Sequence, residues 1–152
     1  MLETDKKVDE VFDLLQKDDS FKEKLFFNGQ IYDAYSLLVD IIKKGKNEIT
    51  IIDNYIDKSI LDLLSKKSKN VNVTIITNKN CKLSDLDIAK FNEQYPKLKI
   101  IYSNDYHDRF IIVDNIVYHC GLSLKDLGKK FFAITKMEDE SLLDKFYNYA
   151  GK

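Results

Sequence analysis

The chain has 152 residues, 44% hydrophobic and 32% charged, a composition that fits one globular domain and excludes a disordered class. Its 24 basic and 25 acidic residues leave a net charge of −1. A surface that grips long duplex by broad phosphate neutralisation is thereby excluded, and any contact to nucleic acid must be local.

The expected elements follow in chain order. Positions 4–16 read as an amphipathic helix, with Val8, Val11, Phe12 and Leu15 recurring on one face, and positions 18–24 as a polar linker. The expected division is an N-terminal helix and linker over 1–24, then a single domain over 25–152. Asn28-Gly29 signals a turn, and Ile31, Ala34, Tyr35, Leu38 and Ile42 a helix that ends near Gly45. A strand is expected over 48–53, a helix over 58–67 and a strand over 71–77. A helix over 83–95 and a strand over 98–102 complete an alternation typical of βαβ units. Pro96 stands between these last two as a breaker. The final third changes rhythm, with strands at 109–113 and 116–120 joined by an Asp114-Asn115 hairpin turn. A polar segment follows over 123–130, then a strand over 131–136 and a closing helix over 138–149. The fold class is α/β, a mixed and mainly parallel sheet flanked by helices, with an extra helix at the N-terminus.

Two cysteines without patterned spacing, Cys81 and Cys120, argue against a disulfide scaffold and for a cytoplasmic location. No apolar run reaches the ~18 residues of a membrane span, and positions 1–10 are too charged for a signal peptide, so no membrane partner is expected. Cys81, Cys120, His107 and His119 include zinc-ligand types, but their spacing matches no paired-ligand signature and no metal is expected.

Rare residues in a biased composition point to the chemistry. Of the 24 basic residues only Arg109 is an arginine, and there are two histidines. His107 and Arg109 stand two apart, which on a strand places them on one face. An imidazole beside a guanidinium suits phosphoryl chemistry, because arginine forks onto phosphate oxygens and histidine attacks phosphorus or moves a proton. A carboxylate from Asp114 or Asp126 is the candidate to hold the ring in its reactive tautomer. Ligands of open α/β sheets collect at the carboxyl ends of strands, where Asn54, Tyr55, Gly121 and Ser123 fall. Lys125, Lys129 and Lys130 follow the glycine and face a polyanion most readily.

His107, Arg109 and Asp114, followed by a hairpin and Gly121, resemble the H-x-K-x-x-x-x-D motif of the phospholipase D superfamily. Asp126 falls where many members carry an acidic residue. The likeness covers roughly positions 26–137, and 26–55 with 121–130 are similar to single-motif members found behind phage-type DNA-binding domains. That resemblance implies a cofactor-free, metal-independent phosphodiesterase of bacterial or mobile-element origin. With one motif per chain, it implies a homodimer whose two His107 side chains meet across a two-fold axis, and a nuclease acting on nucleic acid, DNA first. It makes 1–16 either the joint to such a module or a stand-alone remnant. The sequence departs from the motif at three places: Arg109 replaces lysine, Leu122 the serine and Leu124 the phosphate-binding asparagine. Ser123, Lys125 and Asn54 are the candidates to fill those roles. Leu122 and Leu124 also fit a second class, a degenerate member serving as a dimerisation or ligand-binding module.

Overall fold

A computed structural model describes residues 21–139 and 141–150; the helix expected over 4–16 lies outside them. Seven strands form one sheet: β1 (Glu23–Phe26), β2 (Glu48–Ile52), β3 (Asn72–Thr77), β4 (Leu98–Tyr102), β5 (Arg109–Val113), β6 (Ile116–Cys120) and β7 (Phe132–Met137). Among the described residues four helices accompany them, α1 (Ile31–Lys43), α2 (Ser59–Leu64), α3 (Asp85–Gln94) and α4 (Ser141–Ala150), with a 3-10 turn at Leu124–Asp126. Spatial order is β1-β7-β6-β5-β2-β3-β4.

The sheet is mostly antiparallel, which corrects the expectation of a mainly parallel one. Among the described strands only the neighbours β2–β3 and β3–β4 run parallel, each pair joined by a helical crossover, through α2 and α3, whereas the crossover through α1 joins β1 and β2, which are not neighbours. From β5 onward the links are short, and β2–β5, β5–β6, β6–β7 and β1–β7 are antiparallel. β1 itself was not foreseen. Glu23 and Lys24, expected in the linker, pair with Thr135 and Ile134.

Both faces of the central strands are covered, as the doubled isoleucines 51-52, 75-76 and 111-112 require. Ile49, Ile51, Val73, Ile75 and Ile111 join Leu38, Ile41 and Ile42 of α1 and Leu63 and Leu64 of α2 in the main core. Ile52, Ile76, Ile112 and Val117 are buried on the other face, where Phe146 of α4 meets Phe110 edge-on at 4.9 Å.

The Asp114-Asn115 turn forms as expected, with Asp114 at φ 52°, a left-handed conformation that aspartate tolerates. Its carboxylate accepts the backbone N–H groups of Lys46, Asn47 and Glu48 at 3.0, 2.9 and 3.0 Å. Burial pushes this carboxyl up, but the three N–H donors and the Lys46 ammonium outweigh it and hold the group below its ordinary 3.8. Asp114→Ala is therefore expected to cost about 1–3 kcal/mol at neutral pH, since three amides lose their acceptor. Because the folded carboxyl titrates below the unfolded one, that contribution is complete above the ordinary value and fades as pH falls through the folded value. Thermal melts of both proteins across acid pH check this: the two curves should converge, and a gap that persists undiminished at the acid end overturns the assignment.

Candidate active site

The sheet register gathers one set of strand ends at a single edge. Ile52 pairs with both Ile76 and Phe110, Arg109 with Cys120, and Cys120 with Ile134. The carboxyl ends of β2, β3 and β4, the start of β5 and the end of β6 therefore share that edge. The β4–β5 loop must travel from the edge strand β4 past β3 and β2 to reach β5, and it does so across these strand ends. Three contacts pin it: Ser103 N–H donates to the Thr77 carbonyl at 2.9 Å, Asn78 Nδ2 to Asn104 Oδ1 at 2.9 Å, and Asn54 Nδ2 to the Tyr106 carbonyl at 2.5 Å.

His107 is carried on this loop, one residue short of the bend that opens β5, and is exposed. The expectation that it shares a strand with Arg109 is corrected: β5 begins at Arg109. His107 makes no hydrogen bond or ion pair with another described residue. Arg109, half-buried, stacks its guanidinium over the Tyr55 ring at 5.7 Å. It forms no salt bridge among the described residues, and its Nε is one of three buried polar atoms there without a hydrogen-bond partner, with Thr77 Oγ1 and Tyr106 Oη. The imidazole and the guanidinium thus flank one edge with both charge-bearing groups uncommitted.

Two interactions hold this edge together. Asp53, fully buried at 0% exposure, accepts the Ser123 hydroxyl on both oxygens at 3.0 and 2.9 Å. It also accepts the Leu124 N–H at 2.7 Å and the Tyr55 N–H at 2.9 Å. The second is His119, whose Nε2 lies 2.6 Å from Asp108 Oδ2 while Asp108 Oδ1 accepts the Arg109 N–H at 2.9 Å. That pair fixes the residue between His107 and Arg109. Cys120, buried beside Arg109, is inert as a nucleophile: burial pushes its thiol up to about 12, Asp53 and Asp108 add to the rise, and Arg109 opposes it.

The structure redistributes several expected roles. Asp114 stands at the far end of β5, about 17 Å of strand away from Arg109, and clamps the start of β2. Ser123, 2% exposed, gives its hydroxyl to Asp53 and does not present it at the surface, so its expected substrate-binding role is corrected. Asn54 holds the His107 loop. Asp126 accepts from Lys125 Nζ at 2.8 Å and approaches Lys129 Nζ at 3.9 Å, so its carboxylate is engaged by two lysines. Lys125, whose ammonium is pushed up chiefly by that bond to Asp126, Tyr55 and exposed Gly121 remain on the edge. The Leu124 side chain is buried.

Asp53, Asp108 and His119 were not among the expected site residues. Asp53 carried a signal, an acid directly after the apolar run Ile49–Ile52 expected to end a buried strand. The His119–Asp108 pair carried none, being eleven residues apart across a hairpin.

No protein-family model matches the sequence, and no curated protein is significantly similar to it. Solved structures are similar in fold. NucT from Helicobacter pylori shares 18% identity at a TM-score of 0.60, over 84% of this chain and 92% of that one. Nuc from Salmonella typhimurium, a phospholipase D family member, shares 19% at 0.60, over 84% and 90%. TrmBL2, an archaeal chromatin protein whose structure shows a novel mode of DNA binding, shares 15% at 0.57, over 97% of this chain and 57% of that one.

Proposed function

We propose, from the phospholipase D fold that this chain carries, that it is a metal-independent phosphodiesterase acting on nucleic acid as a homodimer. The observation that supports this most directly is that His107, exposed, and Arg109, the chain's single arginine, stand two apart at the strand-end edge, the first without a hydrogen bond and the second without a salt bridge among the described residues. One motif per chain requires a second copy, and an isologous contact about a two-fold axis brings the partner subunit's His107 opposite. A ring nitrogen of His107 attacks phosphorus, and the bond to the leaving oxygen breaks as the partner's His107 donates its proton. Water then attacks the phosphohistidine, its proton passes to the partner's now neutral His107, and the P–N bond breaks. Arg109 holds non-bridging oxygens throughout, in an orientation set by Tyr55.

A second reading rests on a specific observation. Ser123 is committed to Asp53 and Leu124 is buried, so the loop after Gly121 lacks the phosphate donors that the motif normally places there. A DNA-binding or dimerisation module without hydrolysis fits that loop.

Hydrolysis of bis(p-nitrophenyl) phosphate and of single- and double-stranded DNA in EDTA separates the two. Activity that survives EDTA supports the phosphodiesterase. Activity lost to EDTA overturns the metal-free route, and a dimeric sample without activity favours the module.

A further inference from the structure

Large apolar side chains are exposed at one end of the same sheet edge. Phe27, just past β1, and Phe131, just before β7, are 59% and 55% exposed and meet edge-to-face at 5.3 Å. Such a contact uses one face of one ring and leaves the remaining faces open. The pair is held firmly. Gly29 N–H donates to the Gly128 carbonyl at 2.8 Å, and a Cβ on Gly128, at φ 75°, would stand 2.4 Å from Ile31 Cα. Only glycine permits this approach of the 121–131 loop to the start of α1.

The register places the rings at the same end of the sheet as the start of β5. Arg109, Cys120, Ile134 and Lys24 are level across the sheet. Phe132 and Phe26 lie two residues further toward the edge, at the end of the sheet where β5 starts after the His107 loop. Two to three strand spacings separate β5 from β7 and β1, on the order of 10–15 Å. The 121–131 loop, which leads into β7, carries exposed Lys129 and Lys130 close in sequence to Phe131. At the start of β5 Tyr55, 58% exposed, underlies Arg109.

We infer that this edge is a binding track for single-stranded nucleic acid, with the Phe27–Phe131 pair as a base-stacking platform and exposed Lys130, next to Phe131 in the chain, as a backbone contact. The inference rests on the phosphodiesterase reading and names its substrate class. Bases in duplex are already stacked on one another and cannot cover exposed rings, whereas unpaired bases can. A chain with net charge −1 gains little from long-range attraction to phosphate, so stacking must supply much of the affinity.

The test is fluorescence anisotropy with labelled oligo(dT) and a duplex of equal length, on the unmodified chain, Phe27→Ala, Phe131→Ala and Phe131→Leu. Oligomeric state is followed by sedimentation. The expected result is tighter binding of oligo(dT) than of duplex, and about tenfold or greater loss for each alanine variant. Phe131→Leu should lose affinity as well, since it keeps apolar bulk and removes the π-face. Absent or duplex-preferring binding by the unmodified chain overturns the track. So do unchanged affinities in the variants, or a leucine variant that binds normally while the alanine variants dissociate into monomers, which identifies the patch as an interface between copies. Ester hydrolysis by the unmodified chain decides the phosphodiesterase reading separately: an inactive chain that loses oligo(dT) on ring removal keeps the track and loses the enzyme.

Discussion

His107→Ala is expected to lower hydrolysis of a phosphodiester by at least about a thousandfold, to the level left by binding alone. The size follows from the side chain's double duty. On the proposed mechanism one copy forms the covalent bond to phosphorus and the other protonates the leaving oxygen, so a homodimer of the variant would lose nucleophile and acid together. The fold should be unaffected, because His107 is exposed on a loop and makes no hydrogen bond to a described residue, while the anchors of that loop are Asn54, Asn78 and Thr77. Equal melting temperatures with activity gone would place the effect on chemistry. Mixed dimers of wild-type and His107→Ala chains extend the measurement, since a site needing both imidazoles leaves the mixed species inactive. A variant hydrolysing within tenfold of wild type would sink the phosphohistidine route.

Asp53→Ala is expected to have the largest effect on stability, about 3–5 kcal/mol, read as a fall in melting temperature of about 6–20 °C for a chain of this size. The residue is fully buried and accepts the Ser123 hydroxyl and the N–H groups of Leu124 and Tyr55. Truncation strands all three donors where water has no access. The effect is not confined to stability. Asp53 ties the end of β2 to the loop after β6, so its loss frees Tyr55, on which the Arg109 guanidinium rests. Asp53→Asn keeps one acceptor oxygen and should fall between the two. A melting temperature within about 2 °C of wild type for the alanine variant would show that the cluster contributes nothing.

Much of the architecture was legible because local forces set it. The 3.6-residue recurrence of Ile31, Ala34, Tyr35, Leu38 and Ile42 specified α1, and the Asp114-Asn115 pair specified its hairpin. The apolar runs at 72–77, 98–102 and 109–113 specified three strands to within a residue. β1 escaped because Glu23-Lys24-Leu25-Phe26 buries only its last residue. An edge strand with three exposed positions has no alternation to read, and its pairing with β7 is decided by a partner more than a hundred residues away. The same limit explains the sheet's direction: the βαβ rhythm of positions 48–102 was correctly read but fills only part of the sheet.

For the site, the sequence by itself determined the chemical types and their placement at strand ends. His107 and Arg109 two apart, with Tyr55 and Gly121 after apolar runs, required no tertiary knowledge. The tertiary structure decided which polar groups were left uncommitted. Asp114, Ser123, Asn54 and Asp126 all looked suited to a site, and each is engaged by a partner that the sequence does not place nearby: the 46–48 amides, Asp53, the Tyr106 carbonyl and two lysines. A side chain's donors and acceptors are fixed by its residue type, but whether they are already satisfied depends on contacts across the sheet. That accounting left His107 and Arg109 open while it closed the others.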